Sequence, residues 1–266
     1  MYKRQFQHRG GKMFDLTGKS AIITGSSKGI GKSIALQMAL HGAKVVVSSR
    51  KADVCEETAK EINAACEGQE GEAIVIPCNI SDKAAMQMLV DETRNQFGKI
   101  DILVCNAATN PFFGSLLDIP EEAFDKVMNN NIKSNHLLCN MVLPEMIERK
   151  DGSIIIVSSV GGLKGSAVLG AYDISKAADI MLVKNLAIEH GPHNVRTNAI
   201  APGLFRTDFA RALWENPEIL KQSTATCPLR RIGEPEEIGG AAVFLCSSAG
   251  SFVNGHTLVI DGGSTS

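Results

Sequence analysis

From Ser20 onward, short runs of β-branched residues alternate with longer amphipathic stretches, and this alternation limits the chain to very few architectures. Two strands running in the same direction need a crossover between them, so strand and helix signals in strict succession imply a parallel sheet. The runs predict strands over 20–24, 44–48, 73–77, 101–105, 153–158, 195–200 and 257–260, with helices over 31–41, 54–66, 83–97, 124–149, 172–189 and 236–246. Ile154, Ile155, Ile156 and Val157 form an unbroken apolar run, as expected of a strand covered on both faces. The expected fold is α/β: an open, doubly wound parallel sheet of about seven strands flanked by helices.

With 266 residues, the chain is long enough for one large domain, and no linker or repeat divides it. Residues 13–266 therefore read as a single domain. Within it, 204–228 has weak periodicity, contains Trp214 and Pro217, and follows a strand end, so it is expected to cover the substrate. Ahead of Met13, residues 1–12 carry Lys3, Arg4, Arg9 and Lys12 and no acid. They read as a disordered extension, with a transit peptide as the alternative.

A net charge of −2 gives no broad positive field for nucleic acid or an anionic membrane surface. No apolar run approaches the roughly 18 residues of a membrane span. The seven cysteines are scattered, which points to a reduced, cytoplasmic chain rather than a disulfide or zinc framework. His190 and His193 flank Gly191-Pro192, a helix-stop signal, and no metal is assigned.

Between the first strand and the first helix lies Thr24-Gly25-Ser26-Ser27-Lys28-Gly29-Ile30-Gly31. A pyrophosphate requires close backbone approach and the free amides of a helix start, and glycines permit both. The sheet is accordingly expected to be Rossmann-type and to bind a dinucleotide. At the end of the second strand, where an NAD enzyme places an acid, the chain reads Ser48-Ser49-Arg50-Lys51. Ser49, Arg50 and Lys28 suit a 2'-phosphate instead, so NADP(H) is the expected cofactor.

Tyr172 and Lys176 stand four apart on a predicted helix and share a face. A nearby ammonium lowers the pKa of a phenol and makes it a usable acid or base near neutral pH. Ser159 ends the strand upstream and is expected at the same edge of the sheet.

These features together resemble the short-chain dehydrogenase/reductase family over residues 14–263. The loop Thr24 to Gly31 resembles T-G-x-x-x-G-x-G, and Tyr172 with Lys176 resembles Y-x-x-x-K. The resemblance implies that Ser159 holds a carbonyl oxygen, Tyr172 donates the proton, Lys176 tunes the phenol and holds the nicotinamide ribose, and Asn131 holds a relay water. It also implies cofactor contacts at Gly25, Ser27, Gly29, Ile30, Gly31, Asn79, Ile80, Asn106, Ala107, Pro202, Gly203 and Thr207. Departures fall at Cys105 and Ala108 in the N-N-A-G stretch, and at Asn79 where the family commonly has aspartate. Self-association as a homotetramer is a further implication, through the helices near 124–149 and 172–189.

VVVSSRK at 45–51, NPFFGS at 110–115, APGL at 201–204, RRIGEPE at 230–236 and FLCS at 244–247 resemble the family's NADPH-dependent carbonyl and retinal reductases, often called its member 4. The implied reaction is hydride transfer from NADPH to a ketone, aldehyde or dicarbonyl, with Phe112 and Phe113 walling an apolar pocket or packing in the core. A 3-oxoacyl-thioester reductase would use the same four residues. Reductases of conjugated enoyl groups space tyrosine and lysine more widely, and a non-catalytic NADP-binding scaffold would have lost at least one of Ser159, Tyr172 or Lys176.

Overall fold

The computed structural model describes residues 13–266, so the expectations for residues 1–12 lie outside the described part. Seven strands form one parallel sheet: β1 (Ser20–Thr24), β2 (Lys44–Ser48), β3 (Glu72–Val75), β4 (Ile102–Cys105), β5 (Gly152–Val157), β6 (Val195–Pro202) and β7 (Thr257–Ile260). Their spatial order is β3-β2-β1-β4-β5-β6-β7. The order reverses at β1, which pairs with β2 on one side and β4 on the other, and this reversal opens a crevice at the carboxyl edge.

Both faces of the sheet are covered, for the reason its apolar runs suggest. Ala21 and Ile23 of β1 join one core with Val45, Val47 and Ile155, against α1 (Gly29–Leu40), α2 (Ala52–Ala65) and α9 (Glu236–Cys246). Ile22 joins the other core with Val46, Ile154 and Ile156, against α3 (Lys83–Phe97), α5 (Ser134–Arg149) and α6 (Gly170–His190). Alternate residues of one strand therefore feed opposite layers, and single-face alternation disappears.

The helix expected over 124–149 is built differently. It begins earlier as α4 (Glu121–Met128), passes through one π-helical turn (Asn129–Lys133), and continues as α5. A π turn inserts one residue into the ladder and re-aims the side chains it carries, here including Asn131. The segment 204–228 is not a bare loop either, since α7 (Arg211–Trp214) and α8 (Pro217–Thr226) form within it. Asn216 caps α8 by accepting from the amides of Glu218 and Ile219, with Pro217 in the first turn.

Strand ends shift where pairing dictates. β6 runs on to Pro202 because Ala199 to Pro202 pair with Thr257 to Ile260, whereas the edge strand β3 stops before Pro77, which has no amide to donate. No helix among the described residues is long and apolar enough to cross a membrane.

Candidate active site

The glycine loop leaves β1 at Thr24 and enters α1, and its neighbours explain its composition. Gly25 has φ +65°, and a Cβ there would lie 2.9 Å from Ala107 Cα. A Cβ on Gly31 would strike the Gly25 carbonyl oxygen and lie 2.5 Å from Asn106 Nδ2. Gly29, at φ +54°, faces Thr207 Cγ2, with 3.3 Å left for any added carbon. The result is bare backbone against the start of a helix, which fits a dinucleotide pyrophosphate.

Several predicted cofactor residues also hold the cradle together. Asn106 donates from Nδ2 to the carbonyl oxygens of Thr24 (2.9 Å) and Gly25 (3.1 Å). Thr24 Oγ1 in turn accepts from the amides of Asn106 (3.0 Å) and Ala107 (3.1 Å). Ser27 accepts from Thr58 Oγ1 through its carbonyl (2.9 Å), and Ile30 packs against the first core. Ser26 locks the loop to β2 by accepting from the Ser48 amide (2.9 Å), a link outside the sequence expectations.

At the end of β2, Ser49 is half-buried beside Cys55 Sγ (3.1 Å), and Arg50 is exposed with no ion pair or side-chain hydrogen bond among the described residues. Lys28, by contrast, is paired with Asp208 at 3.2 Å across the crevice. Of the two cations expected to meet a 2'-phosphate, Arg50 is uncommitted and Lys28 already has an anionic neighbour. Asn79 is exposed, and its Oδ1 accepts from the amide (3.2 Å) and hydroxyl (2.7 Å) of Ser81, while Ile80 packs on the second core. Pro202 ends β6 and Gly203 follows it, packed against Asp261.

Tyr172 and Lys176 project from the first turns of α6, with the Lys176 ammonium 5.7 Å from the centre of the Tyr172 ring. Ser159 follows β5 and caps the short 3-10 turn Val160–Gly162 by accepting from the Gly161 amide (3.0 Å). Burial pushes the Tyr172 phenol above its usual range, more than the Lys176 ammonium and the Ser159 hydroxyl lower it. Lys176 pulls the phenol down, as the spacing suggests, but burial outweighs it, because a half-buried phenolate gives up water before it gains a partner.

Lys176 is 2% exposed and donates to the Val157 carbonyl (2.8 Å) and to Asp179 Oδ2 (3.0 Å). Asn131, fully buried in the π turn, accepts from the Thr109 amide (2.8 Å) and donates to the Thr109 carbonyl and Ser175 Oγ (both 3.0 Å). Both its amide hydrogens are therefore committed to protein. Through these bonds it fixes the segment after β4 to α6.

On the substrate side, Phe209 lies over Tyr172 with ring centres 5.9 Å apart. Phe113 is exposed and the Phe112 ring folds back over Gly114, while the ring in contact with Tyr172 comes from the covering segment. Trp214 anchors that segment, donating from Nε1 to the Thr207 carbonyl (2.8 Å) beneath the Arg206 guanidinium. Phe209, Asp179 and Asn135 were missed by sequence reasoning. Only Asp179 had a signal, an acid one turn from Lys176 on a largely apolar helix.

A family model described as enoyl-(acyl carrier protein) reductase matches residues 25–265. The chain is 43% identical to dehydrogenase/reductase SDR family member 4 of Bos taurus, over 94% of this chain and 88% of the relative. A gluconate 5-dehydrogenase from Burkholderia cenocepacia, solved with NADP and tartrate, superposes with a TM-score of 0.89 at 32% identity, over 95% and 97% of the two chains. A 7α-hydroxysteroid dehydrogenase, solved with NADH and 7-oxoglycochenodeoxycholic acid, superposes with a TM-score of 0.87 at 37% identity, over 94% and 96%.

Proposed function

The chain belongs to the short-chain dehydrogenase/reductase family, and we propose that it reduces a ketone, aldehyde or dicarbonyl to the alcohol, reversibly, with NADPH as its cofactor. The meeting of Ser159, Tyr172 and Lys176 at the carboxyl edge of the sheet, next to a glycine cradle, carries this reading. A bound nicotinamide supplies the hydride. Ser159 holds the carbonyl oxygen and Tyr172 passes its proton to that oxygen. A phenol held above its usual range is fully protonated at neutral pH, the state required of a proton donor. Lys176 has two of its three N–H bonds in protein, and the third would serve to hold the ribose of a bound cofactor. Asn131 keeps Thr109 and Ser175 in register with these groups.

The free guanidinium of Arg50 and the absence of an acid at Ser49 support NADPH over NADH, although similar proteins have been solved with either cofactor. The one-turn spacing of Tyr172 and Lys176 favours carbonyl over enoyl reduction, despite the description of the matching family model. A second reading, reduction of a 3-oxoacyl thioester, draws support from a cleft of about 550 Å³ whose charged lining, Arg206, Lys221, Arg230, Arg231 and Glu234, carries an excess of cations that would suit an anionic carrier. Homotetramer formation is supported by Ile174, Met181 and Ile188, apolar residues exposed at seven-residue intervals along α6. A cytoplasmic location is supported by seven free, buried cysteines.

The test is NADPH consumption, with NADH in parallel, against aldehydes, ketones, dicarbonyls and 3-oxoacyl thioesters. Tyr172→Phe should abolish turnover and leave the NADPH dissociation constant nearly unchanged, because only the proton donor is lost. Comparable turnover in that variant would overturn the reading.

A further inference from the structure

The helix bearing Tyr172 and Lys176 also bears an acid with no assigned part in the proposed reaction. Asp179 is fully buried, one turn beyond Lys176. Its Oδ2 accepts from the Lys176 ammonium at 3.0 Å and its Oδ1 from Asn135 Nδ2 at 2.9 Å. Asn135 also donates to the Asn131 backbone carbonyl at 2.6 Å, so one line of hydrogen bonds runs from the π turn through Asn135 and Asp179 to Lys176. Ile180 and Val183 show that this part of α6 otherwise buries apolar side chains. A carboxylate withdrawn from water is costly, and well-packed apolar replacements of buried ion pairs are often neutral or stabilising, so its presence calls for a reason other than stability.

We propose that Asp179 is a positioning residue for proton transfer, fixing the Lys176 ammonium and offsetting its charge so that the Tyr172 phenol faces a neutralised lysine. This rests on the reading of Tyr172 as the proton donor. The other titratable groups facing Lys176 are Tyr172 on α6 and Cys105 on β4, with Cys139 of α5 beside Cys105, while Asp173 acts on Tyr172. The neighbouring Cys139 and burial hold the Cys105 thiol well above its usual range, so it is neutral there. Asp179 is therefore the anion in direct contact with Lys176. Its charge also raises the phenol, in the same direction as burial and against Lys176.

The sequence makes a direct test practical. The chain has only two tyrosines, so in the full-length Tyr2→Phe protein every phenolate absorbance change belongs to Tyr172. In that background, Asp179→Asn should move the phenolate titration to lower pH by about one unit. It should move the acid limb of kcat/KM for NADP-dependent alcohol oxidation in the same direction by a similar amount, and Asp179→Glu should restore both. If Asp179→Asn does not fold, the double variant Asp179→Leu/Asn135→Leu removes both buried polar groups together, and the same shifts are expected. An unmoved or upward-shifted midpoint, or a uniform loss of kcat at every pH, would overturn the proposal. An inactive Tyr172→Phe beside an unshifted Asp179→Asn would sink the Asp179 role alone; an active Tyr172→Phe would sink the reading of Tyr172 and the Asp179 role with it.

Discussion

Arg50 and Asp173 show how much a single side chain decides here. Arg50 has no protein partner among the described residues, so removing it deprives a 2'-phosphate of a charge-assisted hydrogen bond worth about 1.5 to 3 kcal/mol. Arg50→Ala should weaken NADPH roughly ten- to a hundredfold and leave NADH nearly unaffected, read as kcat/KM for both cofactors with one carbonyl substrate. Ser49→Asp should move the preference further toward NADH, since its carboxylate would bond a free 2'-hydroxyl and repel a phosphate. Equal penalties on both cofactors in Arg50→Ala would refute this account of the strand end. Asp173 is buried with no hydrogen-bond partner for either oxygen among the described residues, and burial pushes its carboxyl up to about 6. The folded chain therefore holds a proton that the unfolded chain, at about 3.9, has released. The stability linked to this group is complete below about pH 4 and is lost as pH rises through about 6. Asp173→Asn should raise stability at pH 7.5 by about 1 to 3 kcal/mol, with the gain shrinking toward pH 4 in urea titrations across that range.

At the scale of elements, the π turn between α4 and α5 carries the most consequence. It turns Asn131 inward, where one amide group satisfies both the N–H and the C=O of Thr109. Asn131→Ala would strand both backbone groups and free Ser175, at a cost of about 2 to 4 kcal/mol. It should lower kcat more than it raises KM, because the damage falls on the positioning of α6 rather than on the cradle. Stability and kinetics measured on the same preparation check this, and an Asn131→Ala protein of wild-type stability would contradict it. The covering segment follows similar logic. Its two short helices are anchored by Trp214, and through Phe209 they bring an aromatic face onto Tyr172.

For the whole molecule, the sheet reversal at β1 gathers residues from four strand ends into one crevice: Gly25 after β1, Asn106 after β4, Ser159 after β5 and Gly203 after β6. The opposite consequence of the same packing is an α6 whose inner face is buried and whose outer face leaves Met181 54% and Ile188 79% exposed. Association through that face predicts sedimentation as a tetramer at micromolar concentration, with Met181→Glu shifting the protein to smaller species. A stable wild-type monomer would rule this association out.

Periodicity alone determined the seven strands and their parallel pairing, because a strand covered on both faces and followed by a crossover has few alternatives. Residue spacing alone determined that Tyr172 and Lys176 share a helix face and that glycines open α1, since both are properties of local geometry. The π turn, the helices within 204–228, the pairing of Lys28 with Asp208 and the burial of Asp179 against Lys176 were decided only by the tertiary structure. So was the sign of the shift at Tyr172. The phenol answers to every charge around it and to the water it has lost, and packing brings up Ser159 from thirteen residues upstream and buries the ring under Phe209 from a distant loop. Desolvation is a property of the assembled layers, and the spacing of two residues along one helix does not contain it.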